Sequence, residues 1–72
     1  MSTELISRKE ISYEGAKIYI IFEEKYADIK IEAPCNHKFE NGDEWYRTQA
    51  KREDAEKLAK KIIDEQKRLG YF

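Results

Sequence analysis

Polar and apolar residues alternate along most of the chain and change to a helical spacing only near its end. From Ala16 to Glu24 the even positions Ala16, Ile18, Ile20 and Phe22 are apolar, while the odd ones run Lys17, Tyr19, Ile21 and Glu23. A period of two sends successive side chains to opposite faces, so the pattern predicts a strand with one face committed to a core. Ala27-Asp28-Ile29-Lys30-Ile31-Glu32-Ala33 alternates more cleanly still, and a tight turn around Glu24-Lys25-Tyr26 joins the two strands into a hairpin. Ahead of them, Glu4 to Tyr13 holds Leu5, Ile6, Ile11 and Tyr13 around the polar Ser7-Arg8-Lys9-Glu10. It is expected as a first strand, irregular in its middle, with Met1 to Thr3 frayed and Glu14-Gly15 as the turn that follows.

Pro34 has no N–H to give to a ladder and should end the third strand. Asn41-Gly42 is the dipeptide best suited to a type I′ turn. Two readings of this region follow. Lys38-Phe39-Glu40 and Glu44 to Thr48 form a second small hairpin, or the segment is a loop before one last strand, Glu44 to Gln49. Both set Trp45 beside the sheet.

The spacing then changes. In Arg52 to Leu69, Ala55, Leu58, Ala59, Ile62, Ile63 and Leu69 fall within one arc at about 100° per residue, which is an amphipathic helix with one buried face. Glu53 and Asp54 in its first turn and Lys67 and Arg68 in its last complement the helix dipole. Gly70 can end it in the left-handed conformation, leaving Tyr71 and Phe72 free to fold back on the last turn. Gln66 is the polar exception inside the arc. It is expected to mark where the helix overhangs the sheet, the alternative being a buried amide bonded to a loop backbone.

Strands that precede a helix, each with one apolar face, meet their burial need by laying the helix across the sheet. The expected fold is therefore α+β: a three- to four-stranded antiparallel meander with one C-terminal helix on one face, in a single domain. Its core is expected to be Ile18, Ile20, Phe22, Ile29, Ile31, Leu58, Ala59, Ile62 and Ile63, with Leu5, Ile11 and Trp45 at the edges. At 72 residues such a domain buries only about 60% of its unfolded surface, and Cys35, the sole cysteine, cannot form an internal disulfide. Helix ion pairs, aromatic burial and self-association are the remaining supplements.

Charge narrows the function classes. Net charge is −1, so no global field favours nucleic acid or an anionic membrane, and no apolar run has the length of a membrane span or a signal peptide. A cytoplasmic protein is expected. Lys57, Lys61 and Arg68 project within about 40° of one another on the helix's outer face. Glu53 with Lys57, Glu56 with Lys60 and Asp64 with Arg68 are spaced to pair within the helix and partly neutralise that stripe.

Candidate chemistry is sparse. Cys35 and His37, the only cysteine and histidine, lie near Glu40, Asp43 and Glu44, yet structural zinc sites use two separated ligand pairs and no second pair exists. Read as nucleophile and base, Cys35 and His37 lack an orienting third group and oxyanion donors. The carboxylate pairs Glu23-Glu24, Asp43-Glu44 and Glu53-Asp54 occupy turns and a helix start, where acidic residues belong on local grounds. Gly15, Gly42 and Gly70 form no phosphate-binding pattern. An enzyme is not expected, nor a cofactor, a metal or a small-molecule substrate.

The sheet's second face is the more informative surface. With the helix on the isoleucine side, Lys17, Tyr19, Ile21, Asp28, Lys30 and Glu32 turn to water, where Tyr19 and Ile21 form an apolar patch rimmed by both charge signs. The first functional expectation is a small binding or regulatory module of the inhibitor or homodimer type. It would contact protein, or a second copy, through Tyr19, Ile21, Phe39, Trp45 and Tyr46. The alternative is a nucleic-acid-binding module using Lys17, Tyr19, Lys30, Tyr46 and Arg47. In topology alone the chain resembles small DNA-binding modules that back a three-stranded sheet with one helix. That resemblance implies a basic, Arg-rich sheet face, which this chain lacks.

Overall fold

The computed structural model describes residues 7–72. Strands β1 (Ser7–Tyr13), β2 (Ala16–Phe22), β3 (Tyr26–Glu32) and β4 (Trp45–Lys51) precede a 3-10 turn, Arg52–Asp54, and helix α1 (Ala55–Leu69). The strands form one antiparallel sheet in the order β1-β2-β3-β4, with the single helix following them. The α+β meander expected from the alternation is thus the fold. Leu5 and the start of the expected first strand, like the expected fraying of Met1 to Thr3, lie outside the described residues.

The tight turns differ from expectation in an instructive way. Positive φ at both Glu14 (53°) and Gly15 (85°) gives the β1–β2 hairpin its type I′ geometry, whereas at Asn41-Gly42 only Gly42 is positive, at 88°. A glutamate in the left-handed region carries a steric cost. Here Lys67 Nζ on the helix sits 2.7 Å from Glu14 Oε1 and ties that turn down.

Between β3 and β4 the chain is a loop, not a second hairpin. Ala33 donates to Glu44 O at 2.8 Å, and inside that closure Phe39 N donates to Asp43 O while Gly42 N returns to Phe39 O, both at 2.8 Å. The loop exists to deliver Phe39, which is 2% exposed and the largest buried side chain. The apolar alternation rule could not flag it, because it stands alone in a polar segment.

The core lies between helix and sheet. Ala16, Ile18, Ile20, Ala27, Ile29 and Ile31 supply the sheet side, Ala55, Ala59 and Ile63 the helix side, and Phe39 one end. Small residues at 16, 27, 55 and 59 let the layers approach closely, a role that a list of large apolar residues misses. Phe22, Leu58 and Ile62, expected fully inside, are half-buried, and Leu69 is exposed. The helix presents the line 55-59-63-66, rotated from the centre of the arc the sequence suggests.

Gln66 follows from that rotation. Instead of marking an overhang it is 7% exposed, and its Oε1 accepts from Glu40 N at 3.0 Å, clamping the loop to the helix. Gly70 (φ 95°) ends the helix: Tyr71 N donates to Gln66 O at 2.9 Å and Gly70 N to Lys67 O at 3.1 Å. That is the paired bonding of a Schellman cap. Phe72 turns back onto Phe39, with ring centres 5.0 Å apart.

Candidate binding face

The pairing register builds the other side of the sheet residue by residue. β1 sets Arg8, Glu10 and Ser12 opposite Ile21, Tyr19 and Lys17 of β2. Those in turn face Asp28, Lys30 and Glu32 of β3, which face Gln49, Arg47 and Trp45 of β4. Alternation places all twelve on one surface, and the helix covers the opposite one. Three rows result: Arg8-Ile21-Asp28-Gln49, Glu10-Tyr19-Lys30-Arg47 and Ser12-Lys17-Glu32-Trp45.

The apolar content is small, with Tyr19 in the middle row and Ile21 and Trp45 in the two outer ones. Tyr19 and Trp45 lie with ring centres 6.2 Å apart, Lys30 Nζ stands 4.3 Å above the Trp45 ring, and Ile21 is 36% exposed. Two shallow depressions of about 650 and 620 Å³ share Tyr19, Ile21 and Lys30 in their linings. Gln49 Nε2 donates to Asp28 Oδ1 at 2.7 Å.

The electrostatics of the two faces differ. Among the described residues the four ion pairs are Lys9–Glu56, Lys60–Glu56, Lys67–Glu14 and Arg68–Glu65, at 2.7 to 3.3 Å, all made by the helix or by groups that face it. Hydrogen bonds from Lys9 and then Lys60 hold the Glu56 carboxyl below its ordinary range. Tyr13 OH donates to Asp64 Oδ1 at 2.9 Å, which raises the phenol's pKa, and Glu14 raises that of Lys67. Of the three pairs expected within the helix, Glu56–Lys60 forms at 3.2 Å. Arg68 instead meets Glu65 at 3.3 Å, because Asp64 is taken by Tyr13. The open face carries four cations, Arg8, Lys17, Lys30 and Arg47, and three carboxylates, Glu10, Asp28 and Glu32. None of these seven takes part in the ion pairs just named.

The residues expected at a protein contact are therefore split. Tyr19, Ile21 and Trp45 share the open face, but Phe39 is in the core, and Tyr46, opposite Ile31 and 5.5 Å from the Phe39 ring, lies on the helix side. Lys17, Tyr19, Lys30 and Arg47 of the nucleic-acid set are together, and Tyr46 is again on the far side of the sheet. The cause is parity: Trp45 and Tyr46 are consecutive in one strand and must point oppositely. Arg8, Glu10, Ser12 and Gln49 complete the face. Arg8 and Glu10 were within reach of the sequence, since a two-residue turn at Glu14-Gly15 fixes Tyr13 against Ala16 and hence Glu10 against Tyr19.

The Cys35–His37 segment is used structurally. His37 Nδ1 is 3.0 Å from Tyr71 O, and its ring meets Phe72 edge-on, while Cys35 is exposed. Among the described residues no group of three or more His, Cys, Asp or Glu side chains is placed to hold a metal ion. Nor is any helix among them long and apolar enough to cross a membrane. Comparison with protein-family models, with curated proteins and with solved structures finds no match to this chain.

Proposed function

We propose that the protein is a small cytoplasmic binding or regulatory module, not an enzyme, and that the open sheet face is the surface it uses on protein. The observation that carries this reading is the grouping of Tyr19, Ile21 and Trp45 on a face that the helix leaves open, where both charge signs are interleaved and, among the described residues, none joins an ion pair. Aromatic residues set among charges of both signs suit a partner that itself carries both signs. An exposed free thiol at Cys35 fits a reducing compartment.

A nucleic-acid reading draws on one specific arrangement, the row Tyr19-Lys30-Arg47 with Trp45 beneath Lys30. Glu10, Asp28 and Glu32 stand in the same three rows and would face phosphates, which weighs against it. A photo-reactive residue at Tyr19, with Lys57 on the exposed helix face as control, separates the two. Cross-linking to protein from position 19 and not from 57 is expected. Cross-linking to oligonucleotide from position 19, with salt-sensitive retention on heparin, would replace the protein reading by the other.

A further inference from the structure

We infer that the occupant of the open face is the same face of a second copy of this chain, related by a two-fold axis that runs along the strands between β2 and β3. The inference rests on the binding-face reading and names its partner. The order of the charges on that face points to it. An axis in that direction sets β1 against the partner's β4 and β2 against the partner's β3, and keeps the three rows level. Glu10 then meets the partner's Arg47, Lys17 meets the partner's Glu32, and Tyr19 lies against the partner's Lys30. No like charges are opposed anywhere in the twelve positions.

The arrangement discriminates between axes. A two-fold across the strands, centred on the middle row, sets Glu10, Lys30 and Arg47 each against its own copy and Asp28 against Glu32. Each of those contacts is repulsive. Aligned packing of twisted sheets rotates the strands by about 30°, which displaces the edge strands by a few ångströms, a distance that glutamate and arginine side chains at positions 10 and 47 can span.

Size sets the strength. Seven residues at about 3.3 Å and four strands at about 4.8 Å outline a face of about 440 Å². That is below the roughly 800 Å² per partner of a standard interface, which places the dimer among weak, transient associations.

Glu10 and Arg47 give the cleanest test. They sit on opposite edge strands, three strand spacings or about 14 Å apart within one copy, so any coupling between them must act between copies. Both are exposed, so their substitution leaves the core untouched. The full chain is followed by sedimentation equilibrium at low salt over about 10 μM to 1 mM. Glu10→Arg alone and Arg47→Glu alone are each expected to weaken association about tenfold or more, by turning two attractive contacts into repulsive ones. An equimolar mixture of the two variants is expected to restore it, because each mixed dimer again opposes unlike charges at both contacts. A chain that is monomeric throughout, single variants that associate like the wild type, or a mixture as weak as its components would each overturn the inference. Were the chain monomeric while position 19 still cross-linked to another protein, the second copy would be excluded and the binding-face reading would stand.

Discussion

The two faces of the sheet are built from the same four strands and from alternate residues of the same sequence, yet they follow different rules. On the helix side Ile18, Ile20, Ile29 and Ile31 are fully buried, and the charged groups around them are engaged, Lys9 with Glu56 and Lys67 with Glu14. On the open side the residues one step along, Lys17, Tyr19, Ile21, Asp28 and Lys30, are partly or fully exposed, and none joins an ion pair named above. The difference teaches where stability resides and where freedom to bind is kept. Burial holds the fold together, with the exposed ion pairs on that side adding little; among the described residues, charges outside those pairs are available to something else.

The contrast can be broken most forcefully from the helix side. Phe39→Ala is expected to cost about 3–5 kcal/mol, since it empties the space between the loop, the Phe72 ring and the core. In a domain whose whole stability is of the order of 5 kcal/mol, chemical denaturation should then find much of the protein unfolded. Ile31→Ala should cost about 2–4 kcal/mol by the same measurement, whereas Tyr19→Ala and Ile21→Ser should change stability by less than about 1 kcal/mol. A loss at Tyr19 equal to that at Ile31 would show that the open face is part of the fold's own support.

Gln66→Leu sharpens the comparison by removing a polar contact without removing volume. It leaves the Glu40 N–H without its acceptor and is expected to cost about 1–3 kcal/mol, with faster amide exchange confined to the 37–44 loop. The smallest effect concerns Glu56. Because its folded-state pKa is lowered, chiefly by the Lys9 hydrogen bond, its contribution is fully present above the ordinary glutamate pKa and is lost as pH falls through the lowered one. Glu56→Gln should therefore lower the thermal midpoint slightly near neutrality, by an offset that shrinks as pH falls below the ordinary glutamate pKa. An offset that does not change with pH would mean that the pair with Lys9 contributes nothing through charge.

How much of this was legible in the chain follows the range of the signal. The β2–β3 hairpin is set by neighbours, and alternation over Ala16–Phe22 and Tyr26–Glu32 states it directly. The helix is likewise local, down to its left-handed end at Gly70. Phe39 is different. Nothing beside it in sequence is apolar enough to mark a core residue, and its burial depends on Phe72 and Tyr46, which arrive from other parts of the chain. Gln66 is similar, since an amide inside an apolar arc is buried or overhanging according to whether a distant N–H comes to meet it.

The sequence by itself determined the period of each element and therefore the division of the sheet into an apolar face and a mixed one, because side-chain direction in a strand is fixed by parity alone. Only the tertiary structure decided the register of β4 against β3, the rotation of the helix onto its 55-59-63-66 line, and which aromatic residues went inside. Those depend on contacts between segments far apart in the chain. Pairing, packing volume and a single loop-to-helix hydrogen bond choose there among arrangements that local pattern leaves equal.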